Sequence, residues 1–337
     1  MKVFNVIRSQ EWWAHKLPPL LAIAYATVLM SPVPLYRVAL WAIFLLSSLV
    51  VGAIYVSVIN DITDLEEDIA SGKSNRVQQI PEKYRWIIPG ICILLGFVFG
   101  YFMYPDMLSC FLYLLSWVVF SLYSIKPIRL KNRGILGVLA DGCGSHVFTS
   151  LLMVSSMSYV TNQKIDWVWF TAVGIWALTY GLRGILWHQF SDRENDIKVN
   201  LNTYASKIRP EDFKTKAGFL IFIELTSLSV ILYKINQLLP IIGLALYLLL
   251  LFLRYRINKT QIITILKNND RPFQILMADY YQMFFPISLL ITASLINYYD
   301  LMVLGVHIFL FPFVLWLAIY DYLFFLRAIL IKKHRNF

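Results

Sequence analysis

The chain has 337 residues, of which 58% are hydrophobic and only 15% charged, with a formal net charge of +10. Soluble domains carry roughly 45–50% apolar and about 25% charged residues, so an ordinary soluble globular protein, a disordered chain and a coiled coil are excluded. A charge this positive would suggest nucleic acid in a soluble protein. In so apolar a chain it must first be set against membrane topology, because cytoplasmic loops collect Lys and Arg.

The opening residues are interrupted by Arg8, Glu11 and Lys16 and have no short apolar core with a small-residue cleavage site, so they do not read as a cleavable signal. A membrane-spanning helix needs about 20 mostly apolar residues. Ten such stretches follow, at 17–35, 37–60, 86–104, 106–124, 136–160, 166–190, 213–235, 238–254, 276–297 and 301–331. Short connections at Pro32-Val33-Pro34, Tyr104-Pro105, Thr161 to Ile165, Asn236 and Tyr298 to Asp300 alternate with long polar ones at 61–85, 125–135, 191–212 and 255–275. The predicted fold class is all-α: a polytopic membrane helix bundle of nine or ten transmembrane helices around a central cavity with a cytoplasmic cap, forming one domain over 1–337.

The basic residues fix the expected orientation. Three lie at the N-terminus, four each in the first two long loops, six in or just beyond the third, five in the fourth and four at the C-terminus. Arg37, Lys164 and Lys234 fall on the other side, and Arg183 lies inside a span. The bias predicts cytoplasmic long loops and termini, which requires an even number of spans and favours ten over nine. It also accounts for most of the +10 without nucleic acid. Cys92, Cys110 and Cys143 lie far apart in apolar runs and read as core residues, without metal-type spacing.

Two acidic clusters end spans on the cytoplasmic side. In VINDITDLEED, Asn60, Asp61, Asp64 and Asp68 follow N-D-x-x-D-x-x-x-D. On a helix, Asp61, Asp64 and Asp68 share one face, where like charges repel. A divalent cation would relieve that repulsion, and Mg2+ favours carboxylates and phosphate oxygens. In WHQFSDREND, Asp192 and Asp196 are four residues apart, at the end of span six. The recurrence after spans two and six is compatible with a duplicated four-helix unit. Glu66, Glu67, Glu82, Glu211 and Asp212 read as solvated helix ends, and Asp279 and Asp321 as structural.

These residues carry a family resemblance. NDITDLEED, followed by Lys73 and Asn75-Arg76, resembles the first aspartate-rich motif of the UbiA-type intramembrane prenyltransferase superfamily. DRENDIKVNLNT resembles its second, and YSIKPIRLKNRG its segment at the end of span four. Two features depart from the family: Lys126 stands before Pro127, where relatives often carry proline or a small residue, and ten spans exceed the common nine.

The resemblance implies an enzyme that binds an isoprenyl diphosphate through Mg2+, ionises its allylic C–O bond and transfers the prenyl group to a polar or aromatic acceptor. Asp61, Asp64, Asp68, Asp192 and Asp196 would hold the metal, with Asp64, Asp192, Arg183 and Tyr123 as the catalytic candidates. Tyr123 would lie beside the diphosphate. By formal counting, five aspartates, a diphosphate and two Mg2+ leave a charge of about −4, so basic side chains must complete the site. Lys73, Arg76, Lys126, Arg129, Lys131 and Lys198 are within reach by loop position, Arg76, Lys126 and Arg129 foremost. Arg suits bidentate phosphate contacts and Lys point-charge contacts.

Asn60 and His188 complete the substrate-binding candidates at the cap. Arg183, inside a span, is read as facing an internal pocket. Asp141, in GVLADGCGSHVF, would orient an acceptor or pair with Arg183. The expected partners are a prenyl diphosphate donor, an undetermined acceptor and the lipid bilayer, with no nucleic acid. Two alternatives use the same residues: a terpene cyclase on the same scaffold, and a cation transporter. The transporter reading is disfavoured because the carboxylates lie at loop junctions rather than at the bilayer midplane.

Overall fold

The computed structural model describes residues 9–267 and 271–334; Lys2, Arg8 and Arg335 of the charge count lie outside them. Helices α1 (Ser9–Leu29), α2 (Leu35–Thr63), α3 (Leu65–Ala70), α4 (Ile87–Met103) and α5 (Met107–Ser124) form the first half. Then come α6 (Ile135–Val160), α7 (Trp167–Ser191), α8 (Arg193–Lys198), α9 (Pro210–Ile235) and α10 (Leu238–Ile257). The last helices are α11 (Tyr280–Ile296), α12 (Leu301–Leu310) and α13 (Pro312–His334).

Helix ends on the short-loop side are closed by local acids. Asp106 accepts from Ser109 N at 3.2 Å, and Asp166 accepts from Val168 N at 2.9 Å and Trp169 N at 3.1 Å. Asp300 does so at a distance, taking Tyr36 N at 2.7 Å and Leu35 N at 3.3 Å and so pinning the start of α2 to the start of α12. Each supplies an acceptor to N–H groups that have none within their own helix.

The core lies around α1, where Leu20 to Tyr25 are almost inaccessible, against the second half of α6 and α11. The outer faces of α4, α9, α10 and α13 instead expose Leu94, Phe97, Phe222, Phe252 and Trp316, apolar surface that suits lipid rather than water. Among the described residues, six helices are long and apolar enough to cross a membrane, or seven if one bent pair counts as a span. Helices α1 and α7 have the length but face inward and carry the polar groups of the interior, such as Arg183.

Two expectations are corrected here. The tenth span, read as continuous over 301–331, is broken between α12 and α13, which meet at 86°. Pro312 has no N–H to offer the preceding turn, and Phe311 leaves the helical region at φ −130° and ψ 55°. The loop 255–275 is not wholly irregular: β1 (Gln261–Ile263) and β2 (Phe273–Ile275) pair in parallel, Gln261 opposite Phe273. Two interior helices each contain a π turn, Cys143–Val147 in α6 and Tyr280–Phe284 at the start of α11.

Candidate active site

A cavity of about 1240 Å3 opens among the long-loop ends of the helices. Its rim holds both acidic clusters: Asn60, Asp61, Asp64 and Asp68 from α2 and α3, and Asp192 and Asp196 from α7 and α8. The helix breaks at Asp64, where φ −100° and ψ −3° end α2, so Asp68 projects from the separate helix α3. The continuous carboxylate face expected from spacing is therefore kinked.

The carboxylates of Asp64, Asp68, Asp192 and Asp196 each have a partner of opposite charge or a hydrogen-bond donor. Arg129 donates to Asp64 at 3.0 Å and also pairs with Glu67, while Lys131 pairs with Asp64. Lys73, which follows the first cluster, reaches Asp192 of the second at 3.0 Å, across 119 residues of sequence. Asn75 Nδ2 donates to Asp68 at 2.8 Å and to the Asp61 carbonyl at 2.8 Å. Thr203 donates to Asp196 at 3.0 Å. Burial raises the Asp196 carboxyl above the usual carboxylate range; the Thr203 hydroxyl opposes the rise, and the charge of Asp192 adds to it.

The loop after α5 is held firmly. Arg129 adopts a left-handed φ of 39°, and Gly134 N donates to Asn202 O at 3.0 Å, tying this loop to the one that follows α8. Gly137 lets α6 approach closely: a Cβ there would lie 2.8 Å from the backbone at both Leu130 O and Lys131 Cα.

The hard-oxygen donors at the rim suit Mg2+ by chemistry. Among the described residues, however, no three His, Cys, Asp or Glu converge closely enough to hold a metal ion.

The other candidates divide. Arg76, Lys73, Lys131, Tyr123, Asp141 and His188 line the cavity, and His188 Nδ1 stands 3.6 Å from Asp192. Arg129 works from behind the rim, through Asp64 and Glu67. Lys126 and Lys198 are exposed and outside the cavity lining, which corrects their expected place among the diphosphate ligands. Glu67, read as a solvated end, is half-buried against Arg129 instead.

The partner expected for Arg183 is corrected. Arg183 does not pair with Asp141, which lies close to Ser145 on its own helix. Its guanidinium grips Glu224 of α9, Nε to Oε2 at 2.6 Å and Nη2 to Oε1 at 2.7 Å. It also donates to Thr264 O at 3.1 Å and Leu276 O at 3.0 Å, clamping the β1–β2 segment to the bundle. These bonds make it a buried clamp, and it also lines the cavity, as its place inside a span suggested. Asp279 and Asp321 hold Arg254 at 2.5 and 2.6 Å, and all three line the cavity.

Sequence reasoning passed over Glu224 and His146. Glu224 was findable as a lone carboxylate inside an apolar span, a costly placement that demands a partner. His146 was findable only as a polar residue between Gly144 and the apolar run beyond it.

The UbiA prenyltransferase family profile matches residues 17–271. A UbiA homolog from Archaeoglobus fulgidus is similar in structure at a TM-score of 0.58 and 15% identity, covering 90% of this chain and 100% of that one. A UbiA homolog from the same organism bound to DMAPP and Mg2+ gives 0.55 and 13%, over 87% of this chain and 99% of that one. One bound to GPP and Mg2+ gives 0.55 and 14%, over 90% and 100%. No curated protein sequence is detectably similar to the chain.

Proposed function

Because the chain belongs to the UbiA prenyltransferase family, we propose that this integral multi-pass membrane protein is a Mg2+-dependent enzyme transferring the prenyl group of an isoprenyl diphosphate to a polar or aromatic acceptor. The observation that carries the reading is the meeting of two aspartate clusters, 128 residues apart in sequence, on the rim of one cavity. Structures of UbiA homologs with DMAPP or GPP and Mg2+ support it. The chain is read as one domain of nine or ten crossings, with the rim on the cytoplasmic side and, for ten crossings, both termini there as well.

Asp61, Asp64, Asp68, Asp192 and Asp196 would hold Mg2+, with Asn60 beside them. Bound there, Mg2+ would supply positive charge to the leaving diphosphate, electrostatic catalysis in a water-poor site. Lys73, Lys131 and Arg76 line the same cavity and would meet the diphosphate oxygens. Lys73 and Lys131 now neutralise carboxylates, so an arriving metal and anion would let them exchange one partner for the other. Arg129 positions Asp64 and Glu67 from beneath. The apolar part of the lining would shelter an allylic cation, and Tyr123, which lines the cavity, would offer it an aromatic ring. The acceptor's nucleophilic carbon or oxygen then attacks the allylic carbon.

The test is a product mass spectrum from purified protein given Mg2+ and prenyl diphosphates of several lengths, with and without candidate acceptors. A prenylated acceptor supports the reading. A cyclic hydrocarbon formed from donor alone replaces it with the cyclase.

A further inference from the structure

Away from the carboxylate rim, the same cavity has a second polar wall that the reaction at the rim does not use. His146 of α6, Tyr180 of α7, Gln282 of α11 and His15 of α1 all line it. His146 and Gln282 each sit in a π turn, Cys143–Val147 and Tyr280–Phe284. Such turns re-aim a side chain within a helix and recur at functional sites. His15 Nδ1 lies 3.1 Å from Gln282 Oε1. The Tyr180 ring stands edge-on to the His146 ring, with centroids 5.2 Å apart.

Gly181 makes room for the imidazole: a Cβ there would lie 2.8 Å from His146 Cδ2. Among the described residues no hydrogen bond reaches the His146 ring, although the ring borders a cavity. The ring nitrogens are not sealed in the packed interior, so they are free to bond a group that enters the cavity. Along α7, Tyr180 and Asp192 are twelve residues apart, roughly 18 Å at 1.5 Å per residue. The wall is therefore set apart from the diphosphate cap.

We propose that His146, Gln282, Tyr180 and His15 form the subsite that receives and orients the acceptor, recognising a head group that bears a hydroxyl. The set mixes hydrogen-bond donors and acceptors without a carboxylate, which matches a group that both donates and accepts. The subsite rests on the prenyltransferase reading and names its acceptor class. The residues act by positioning; the leaving-group chemistry stays at the rim.

The experiment uses the full-length protein in detergent with geranyl diphosphate and Mg2+. Methyl 4-hydroxybenzoate serves as a phenolic probe and 1-O-octylglycerol as an aliphatic one. Binding of thiodiphosphate analogues of several prenyl lengths, geranyl among them, is measured separately; absence of binding at every length in the unaltered protein overturns the prenyltransferase reading itself. With donor binding intact, His146→Ala and Gln282→Leu are expected to raise the KM of the productive probe tenfold or more. His146→Gln, which keeps a donor and an acceptor, is expected to restore most of the loss. The donor-analogue Kd should stay within twofold throughout. Should His146→Ala fail to fold, Gly181→Ala, which crowds the imidazole, is expected to raise the same KM.

Which probe is used tells a phenol from an alcohol. Failure of both probes to raise diphosphate release above the donor-only rate overturns the hydroxyl assignment. An unchanged probe KM in His146→Ala and Gln282→Leu, or equal weakening of donor binding, overturns the subsite.

Discussion

Replacing Glu224 by Leu tests whether Arg183 is a structural clamp. The pair is inaccessible, with side-chain exposures of 1% and 0%. Its two contacts of 2.6 and 2.7 Å are joined by Tyr281 Oη donating to Glu224 Oε1 at 2.9 Å. Removing one member of a buried pair leaves an uncompensated charge and costs about 3–5 kcal/mol. In a chain this long each kcal/mol lowers Tm by about 2 °C, so a fall of roughly 6–10 °C is expected. Arg183→Met alone should cost a similar amount by stranding the carboxylate. The double variant removes both charges and leaves chiefly the Thr264 and Leu276 carbonyls without their donor, about 1–3 kcal/mol. It should therefore melt above either single variant. Tryptophan-fluorescence melting in detergent reads all three. A Glu224→Leu protein melting within 1 °C of the parent, or a double variant with fully additive loss, would refute the clamp.

Three further outcomes are expected. Glu67→Ala leaves Arg129 to Asp64 alone, so Arg129 competes harder with metal; the Mg2+ concentration for half-maximal activity should rise roughly two- to fivefold, the worth of about 0.5–1 kcal/mol for a partly exposed pair. An unchanged Mg2+ titration would refute that coupling. Gly137→Ala drives a methyl into the backbone at Leu130 and Lys131 and should destabilise by about 1–3 kcal/mol, read by the same melt; a neutral melt would show that the loop yields. Engineered cysteines at Ser71, Asn132 and Asn202 should react with an impermeant label from the cytoplasmic side, and those at Asn162 and Asn236 from the other. Asn336 lies outside the described residues, and its labelling from outside would favour nine spans over ten.

The bundle was legible because long apolar runs have few alternatives to helices in lipid, where every backbone polar group needs an internal partner. The rim was legible because Asp64, Asp68, Asp192 and Asp196 repel one another without a ligand. What spacing could not supply was the choice among cations. The positive-inside bias fills every cytoplasmic loop with Lys and Arg, so Lys126 and Lys198 looked as suitable as Lys73 and Lys131 until the fold placed the first two outside the cavity. Arg183 was recognised as unusual but given the wrong partner, because Glu224 lies 41 residues away on another helix. The bend at Pro312 was visible as a proline, yet the run of apolar residues on both sides masked it.

The most direct measurement is diphosphate release by the purified protein given a prenyl diphosphate and an acceptor, in Mg2+ and then in EDTA, alongside Asp64→Ala and Asp192→Ala. Release is expected to depend on Mg2+, to stop in EDTA, to return when Mg2+ is restored, and to be lost in both variants while they melt as the parent does. Full release in chelator, or near-normal rates in either variant, would contradict catalysis at the aspartate rim.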